Sequence, residues 1–142
     1  MTRLPAFIAA LFALLPGLAG AAPPLGMWLT PDRAAKVRLA PCGAELCGTI
    51  VWLKEPLDPA TSKPRTDVRN VDPSLRARPI VGLRLLDGLK AADANHWRGG
   101  RIYDPRIGKT FPAKLTLRPD GGLDVQGCAG PFCVTQVWTP AN

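Results

Sequence analysis

The chain is expected to be an all-β domain, an antiparallel up-and-down barrel of about eight strands. Three features predict this. Short runs of alternating or β-branched residues recur between residues 26 and 138, 16 prolines and 14 glycines punctuate the 142 residues, and two Cys-x4-Cys pairs each bracket a tight turn. Alternation with period two marks half-buried strands, and no stretch after the N-terminus carries a ten-residue helical period. Frequent turn formers suit many short strands. Strands joined mostly by hairpins favour a closed barrel, because closure removes exposed edges. Eight strands enclose a space that side chains fill or that holds one small ligand.

Residues 1–21 read as a signal peptide. Arg3 supplies a positive start, residues 7–15 (FIAALFALL) are apolar, Pro16-Gly17 breaks the run, and Ala19-Gly20-Ala21 fits an A-x-A cleavage signal. The apolar run is shorter than the roughly 20 residues that span a bilayer. The mature chain, residues 22–142, is then a single domain that is periplasmic or secreted. With 18 Lys+Arg against 11 Asp+Glu the full sequence has a formal charge of +7. Export argues against nucleic acid as the partner, leaving anionic lipid headgroups or lipopolysaccharide as the available polyanions.

The strands are expected in this order. Residues 26–30 (GMWLT) open the domain, and 36–40 (KVRLA) alternate polar and apolar. Cys42 and Cys47 flank a turn into 48–53 (GTIVWL), a β-branched run ending on an aromatic. Residues 79–86 (PIVGLRLL) put Val81, Leu83 and Leu85 on one face. Residues 97–103 and 109–117 form a pair around the turn Asp104-Pro105-Arg106-Ile107-Gly108. There Pro105 pre-sets φ, Asp104 caps the turn with its side chain, and Gly108 is able to take a positive φ. Gly99-Gly100 inside a strand suggests a bulge or a close backbone approach. Residues 122–126 alternate again, Cys128 and Cys133 flank the last turn, and 134–138 (VTQVW) close the chain.

In an exported protein disulfides are the default. Of the three connectivities, Cys42–Cys47 with Cys128–Cys133 is favoured, since opposed residues of an antiparallel ladder lie within bridging distance. A four-thiolate zinc site is the alternative, disfavoured by the spacing and by export. Residues 54–78 differ from the rest, with Pro56, Pro59, Pro64 and Pro73, no apolar period, and Lys54, Lys63, Arg65, Arg69, Arg76 and Arg78 partly balanced by Asp58, Asp67 and Asp72. They read as a long basic surface loop with one helical turn after Asp72-Pro73, and loops of this length are commonly functional or mobile.

Several stretches together resemble the exported bacterial family called DUF2147. They are Gly26-x-Trp28, Cys47-Gly48-x-Ile50-Val51-Trp52, Asp72-Pro73-x-Leu75-Arg76-x-Arg78-Pro79, Trp97-x-Gly99-Gly100-x-Ile102-Tyr103-Asp104-Pro105-x-x-Gly108-Lys109, and Gly127-Cys128 followed by Gln136-x-Trp138. The resemblance implies a lipocalin-like, calycin-type barrel and no established reaction. Lipocalin-like barrels often pack an Arg from the last strand over the Trp of a first-strand G-x-W. Here no basic residue follows Trp138, so a cation on Trp28 would have to come from elsewhere.

No catalytic set is expected. His96 is the only histidine and sits at a strand edge, Asp104 and Lys109 are explained by turn geometry, and no phosphate loop, H-E-x-x-H or nucleophile elbow is present. The chain is expected to be non-enzymatic, with no cofactor and no metal. Trp28, Trp52, Trp97 and Trp138 recur near strand ends, with Tyr103 close by. They read as core and rim packing or as an aromatic mouth for a small apolar or amphipathic ligand, with Arg101 and Gln136 as polar anchors. Gln136 shares a face with Val134 and Trp138, and a polar group on an inward face needs a partner. The alternative is a cell-envelope interaction protein whose basic loop contacts anionic lipid or a partner protein.

Overall fold

The computed structural model describes residues 24–142; the signal peptide expected at 1–21 lies outside them. Eight antiparallel strands close into one barrel in sequence order. They are β1 (Gly26–Leu29), β2 (Ala35–Cys42), β3 (Glu45–Leu53), β4 (Arg84–Ala91), β5 (His96–Asp104), β6 (Lys109–Leu117), β7 (Leu123–Ala129) and β8 (Phe132–Pro140). A single 3-10 turn, Pro73–Leu75, stands where a helical turn was expected, and Asp72 caps it by accepting from the Ser74 amide.

Alternation decides which side chains fill the barrel. Val37, Leu39, Leu86, Leu89, Leu115, Leu123, Val125 and Trp138 are at most 2 % exposed and form the core with Trp28 and Trp97. Each such aliphatic side chain contributes about 1.5–3 kcal/mol by leaving water. The core thickens toward the end that carries the β2–β3, β4–β5 and β6–β7 turns, where Leu89, Trp97 and Leu115 meet.

β4 begins later than its composition suggests. Residues 79–83 carry strand-forming residues but belong to the preceding connection, in which Gly82 takes φ 97° and Ile80 and Leu83 are buried. Val81 does not share their face, being 43 % exposed. The strand runs on through Asp87-Gly88, a turn-like pair absorbed because Gly88 adopts φ 70°.

Gly99 and Gly100 combine both features expected of them. The β5–β6 register shifts between Trp97 and Gly100, with Gly99 at φ 73°. A Cβ on Gly100 would lie 2.5 Å from the Asp87 carbonyl oxygen and 2.5 Å from Leu89 Cγ. The extra residue inverts the alternation, so that Trp97, Gly100 and Ile102 point inward while Arg101 and Tyr103 point out.

Both disulfides have the expected partners. Cys128 and Cys133 are directly opposed, with Cα atoms 4.0 Å apart. Cys42 and Cys47 are not: Cys42 faces Glu45 and Cys47 faces Ala40, so this bridge runs diagonally across its hairpin, with Cα atoms 5.8 Å apart.

The barrel closes through two residue pairs, Trp28 with Pro140 and Leu29 with Thr139, followed by the Ala141 amide donating to Met27 at 2.8 Å. Among the described residues no cation covers Trp28; its indole N–H donates to the Pro24 carbonyl at 3.0 Å. Closure here is main-chain pairing at a short seam.

Replacing Gly100 by Ala inserts a methyl group against backbone and Leu89. The expected loss is about 1–3 kcal/mol of stability, read as a fall in the chemical-denaturation midpoint. An unchanged midpoint would contradict the close approach.

Candidate functional site

The turns β1–β2, β5–β6 and β7–β8 lie at the same end of the barrel, and there the interior is not filled. A cavity of about 1140 Å³ opens at this end, with Val37, Ile50, Leu85, Ile102, Val125 and Trp138 among its deeper lining and Gln136 beside them. Exposed apolar side chains continue to its rim, where Val68, Ile107, Phe132 and Val134 are 51–79 % exposed, interspersed with charged residues such as Asp32, Arg69 and Arg106. A concave, mostly apolar space with a few polar groups is the usual form of a small-molecule site. Gln136 satisfies its inward amide oxygen by accepting from Trp138 Nε1 at 3.1 Å.

One side of the mouth is built by the connection 54–83, a strap that crosses the outside of the barrel. It is hydrogen-bonded to itself: the Asp67 amide donates to Arg78 and the Ile80 amide to Arg65, both at 3.0 Å. It is fastened through Asp67, whose carboxylate is fully buried. That carboxylate accepts from Tyr103 Oη at 2.6 Å, Asn70 Nδ2 at 2.8 Å and Arg78 Nε at 2.9 Å. A second Arg78 nitrogen lies 2.9 Å away, and the guanidinium covers the Tyr103 ring at 5.3 Å. Asn70 also donates to Tyr103 Oη at 3.1 Å. Gly108, at φ 67°, lies against the strap, and a Cβ there would overlap the Arg69 carbonyl.

Burial alone would raise the Asp67 pKa, but the hydrogen bonds from Tyr103, Asn70 and Arg78, with the Arg78 charge, outweigh it and hold the carboxyl below its ordinary value. Burial, then the Asp67 carboxylate, pushes the Tyr103 phenol up. Tyr103 is therefore a neutral donor and Asp67 an ionised acceptor across the neutral range.

The seven side chains singled out in the sequence are dispersed. Tyr103, Gln136 and Trp138 line the cavity. Trp28 and Trp97 are 5 % exposed and belong to the packed core. Trp52 is 40 % exposed on the outside, with Lys36 Nζ 5.3 Å over its ring. Arg101 is exposed and lines a separate groove outside the barrel. Trp97, Arg101 and Tyr103 share odd numbering, but the Gly99 bulge places the first on the opposite face from the other two.

His96 opens β5 at the other end of the barrel, where its Nδ1 lies 2.7 Å from an exposed Asp93 oxygen. Asp104 faces Lys109 across the β5–β6 ladder but forms no ion pair with it. It accepts from the Arg106 amide at 2.9 Å and from the Arg106 guanidinium at 2.8 and 3.0 Å, building the turn as expected. No group of three or more His, Cys, Asp or Glu able to hold a metal occurs among the described residues. Sequence reasoning missed the aliphatic lining, which strand alternation places inside but cannot distinguish from filled core. It also missed Asp67, Asn70 and Arg78, whose only signal is an acid and an amide three residues apart in a proline-rich loop.

Removing the buried carboxylate leaves Arg78 and Tyr103 without their acceptor. Asp67→Ala is expected to cost about 3 kcal/mol and to speed tryptic cleavage after Arg65 and Arg69. Because the folded-state pKa is depressed, the carboxylate's contribution is complete above the unfolded value of about 3.9 and fades as pH falls through the folded value. The stability gap between wild type and Asp67→Ala should therefore be constant from pH 5 to 8 and shrink below about pH 4. A gap under about 1 kcal/mol, or one indifferent to acid, would contradict this account of the strap.

Residues 26–140 match the model of a family described as an uncharacterized protein conserved in bacteria, DUF2147. Among solved structures, protein HP1028 from Helicobacter pylori, described as belonging to the lipocalin family, superposes with a TM-score of 0.72 at 20 % identity, covering 84 % of each chain. At that identity the likeness concerns the fold. No curated protein matches the chain. The eight-stranded barrel and the family match together place this chain in the DUF2147 family, with a lipocalin-like fold.

Proposed function

We propose that the protein is a non-enzymatic carrier or sensor that takes one small apolar or amphipathic molecule into the open end of its barrel. The observation that carries this reading is the cavity of about 1140 Å³, with an apolar base and exposed apolar side chains among the charged ones at its rim. A drug-sized or lipid-sized guest needs about 300–1,000 Å³, so the space is adequate. Gln136 supplies a polar group among the Val, Ile, Leu and Trp side chains, and Asp32, Arg65, Arg69 and Arg106 also line the space. The lipocalin-like fold of the solved relative supports the same reading at the level of architecture.

We further propose that the chain works outside the cytoplasm, with residues 1–21 as its leader. The two disulfides and the absence of free cysteines among the described residues support an oxidising compartment. The other reading, a basic loop acting on an anionic envelope surface, has less to stand on. Arg65 faces Glu55, Arg76 donates to the Asn70 carbonyl, and Arg78 is held by Asp67, so half of the six cations serve the strap's own structure.

Native mass spectrometry of protein purified from its own host is expected to reveal one bound molecule per chain. Trp138 lines the cavity, so its fluorescence should respond saturably to fatty-acid-like probes. Val125→Trp, which fills the base of the cavity, should weaken that binding at least tenfold while cooperative unfolding is retained. A chain that purifies empty, with fluorescence indifferent to every apolar probe, would overturn the carrier reading.

A further inference from the structure

A second concavity, of about 720 Å³, lies outside the barrel where the strap passes over β4, β5 and β6. Arg78, Arg84, Arg101 and Lys109 line it, against Asp72 and Asp87. Two of these cations are already engaged. Arg78 is bound to Asp67 at 2.9 Å, and Arg84 faces Asp87 at 3.6 Å. Asp72 Oδ1 accepts from the Ser74 amide and hydroxyl at 2.9 and 2.7 Å, neutral donors that leave its charge in the groove. Arg101 and Lys109 have no carboxylate partner among the ion pairs of the described residues.

The backbone brings these two cations into one groove. The bulge at Gly99 turns Arg101 outward, and the β5–β6 turn, closed against the strap at Gly108, delivers Lys109 to its rim. Apolar surface lines the same space, because Val71 and Leu75 of the strap are 78 % and 38 % exposed there. Two unpaired cations against the single unpaired carboxylate of Asp72 leave the groove net positive, which favours an anion, and arginine offers phosphoryl oxygens a planar fork of donors.

We propose that this groove is a second binding site, separate from the barrel cavity, for a phosphoryl oxyanion carried on a short apolar chain. The oxygens sit between Arg101 and Lys109, and the chain lies along Val71 and Leu75. The same chemistry occurs in soluble alkyl phosphates and in phospholipid headgroups. The site does not require the barrel to be occupied, so it stands or falls independently of the carrier reading.

The test is a titration of the full mature chain with n-hexyl phosphate and with inorganic phosphate, followed by amide chemical shifts. Hexyl phosphate is expected to shift the amides of Val71, Asp72, Ser74, Leu75, Arg101 and Lys109 saturably and to bind at least tenfold more tightly than inorganic phosphate. The double variant Arg101→Ala/Lys109→Ala should lose at least tenfold in affinity. Arg98→Ala/Lys114→Ala, which removes two exposed cations of β5 and β6 that do not line the groove, should change it less than twofold. Equal losses in the two double variants, shifts confined to cavity residues such as Val125 and Trp138, or no saturable shift would each overturn the proposal. Co-sedimentation with phosphatidylcholine vesicles containing phosphatidic acid then separates the sources. Sedimentation abolished by Arg101→Ala/Lys109→Ala supports a bilayer headgroup, and hexyl phosphate binding without sedimentation supports a soluble phosphate.

Discussion

The carboxylate of Asp67 is the contact on which the outer layer of this protein depends. The strap carries few apolar residues to bury, Ile80 and Leu83 being its main contribution to the core. Its attachment is polar instead. A buried charge is tolerated only with its partners in place, and three side chains supply them from two separate parts of the chain. Tyr103 belongs to the barrel, whereas Asn70 and Arg78 belong to the strap. The strap therefore docks in one register or not at all. Both concavities use Tyr103 as part of their wall, so the same interaction shapes the cavity inside and the groove outside.

A single extra residue in β5 gives that interaction its geometry. Without the bulge at Gly99, regular alternation would send Tyr103 and Arg101 toward the same side as Trp97. With it, Trp97 packs in the core while the tyrosine meets the strap and the arginine meets solvent. Gly100 then lets β4 approach within a distance that excludes any side chain. Two adjacent glycines thus settle what is inside and what is outside for the rest of the strand.

Much of this was legible beforehand, because strands, tight turns and short disulfides are governed by local chemistry. The β-branched run before Trp52, the Asp104 turn and the bulge at Gly99-Gly100 all announced themselves through residue type. What was not legible depends on contacts between distant segments. Val81, Leu83 and Leu85 look equivalent by alternation, yet Gly82 breaks the period and exposes Val81. Trp52 and Trp138 are the same residue type at the ends of similar strands, but one lies under Lys36 outside and the other at the base of the cavity. Asp67 was hidden for a deeper reason. A carboxylate in a proline-rich loop is ordinarily solvated, and only the positions of Tyr103 and Arg78 make its burial tolerable.

The closing seam has a consequence for how the barrel is held shut. β8 pairs with β7 along its whole length but meets β1 at only two positions near its end, so residues 132–137 have a free main-chain edge facing the cavity mouth. A barrel parts most cheaply where the fewest ladder bonds must break. Widening the mouth along this edge sacrifices almost no pairing and leaves the staple between Cys128 and Cys133 untouched. The seam beside β8 is thus the part of the wall held least by main-chain pairing, and side-chain packing around Trp28 and Trp138 has to carry more of the closure there.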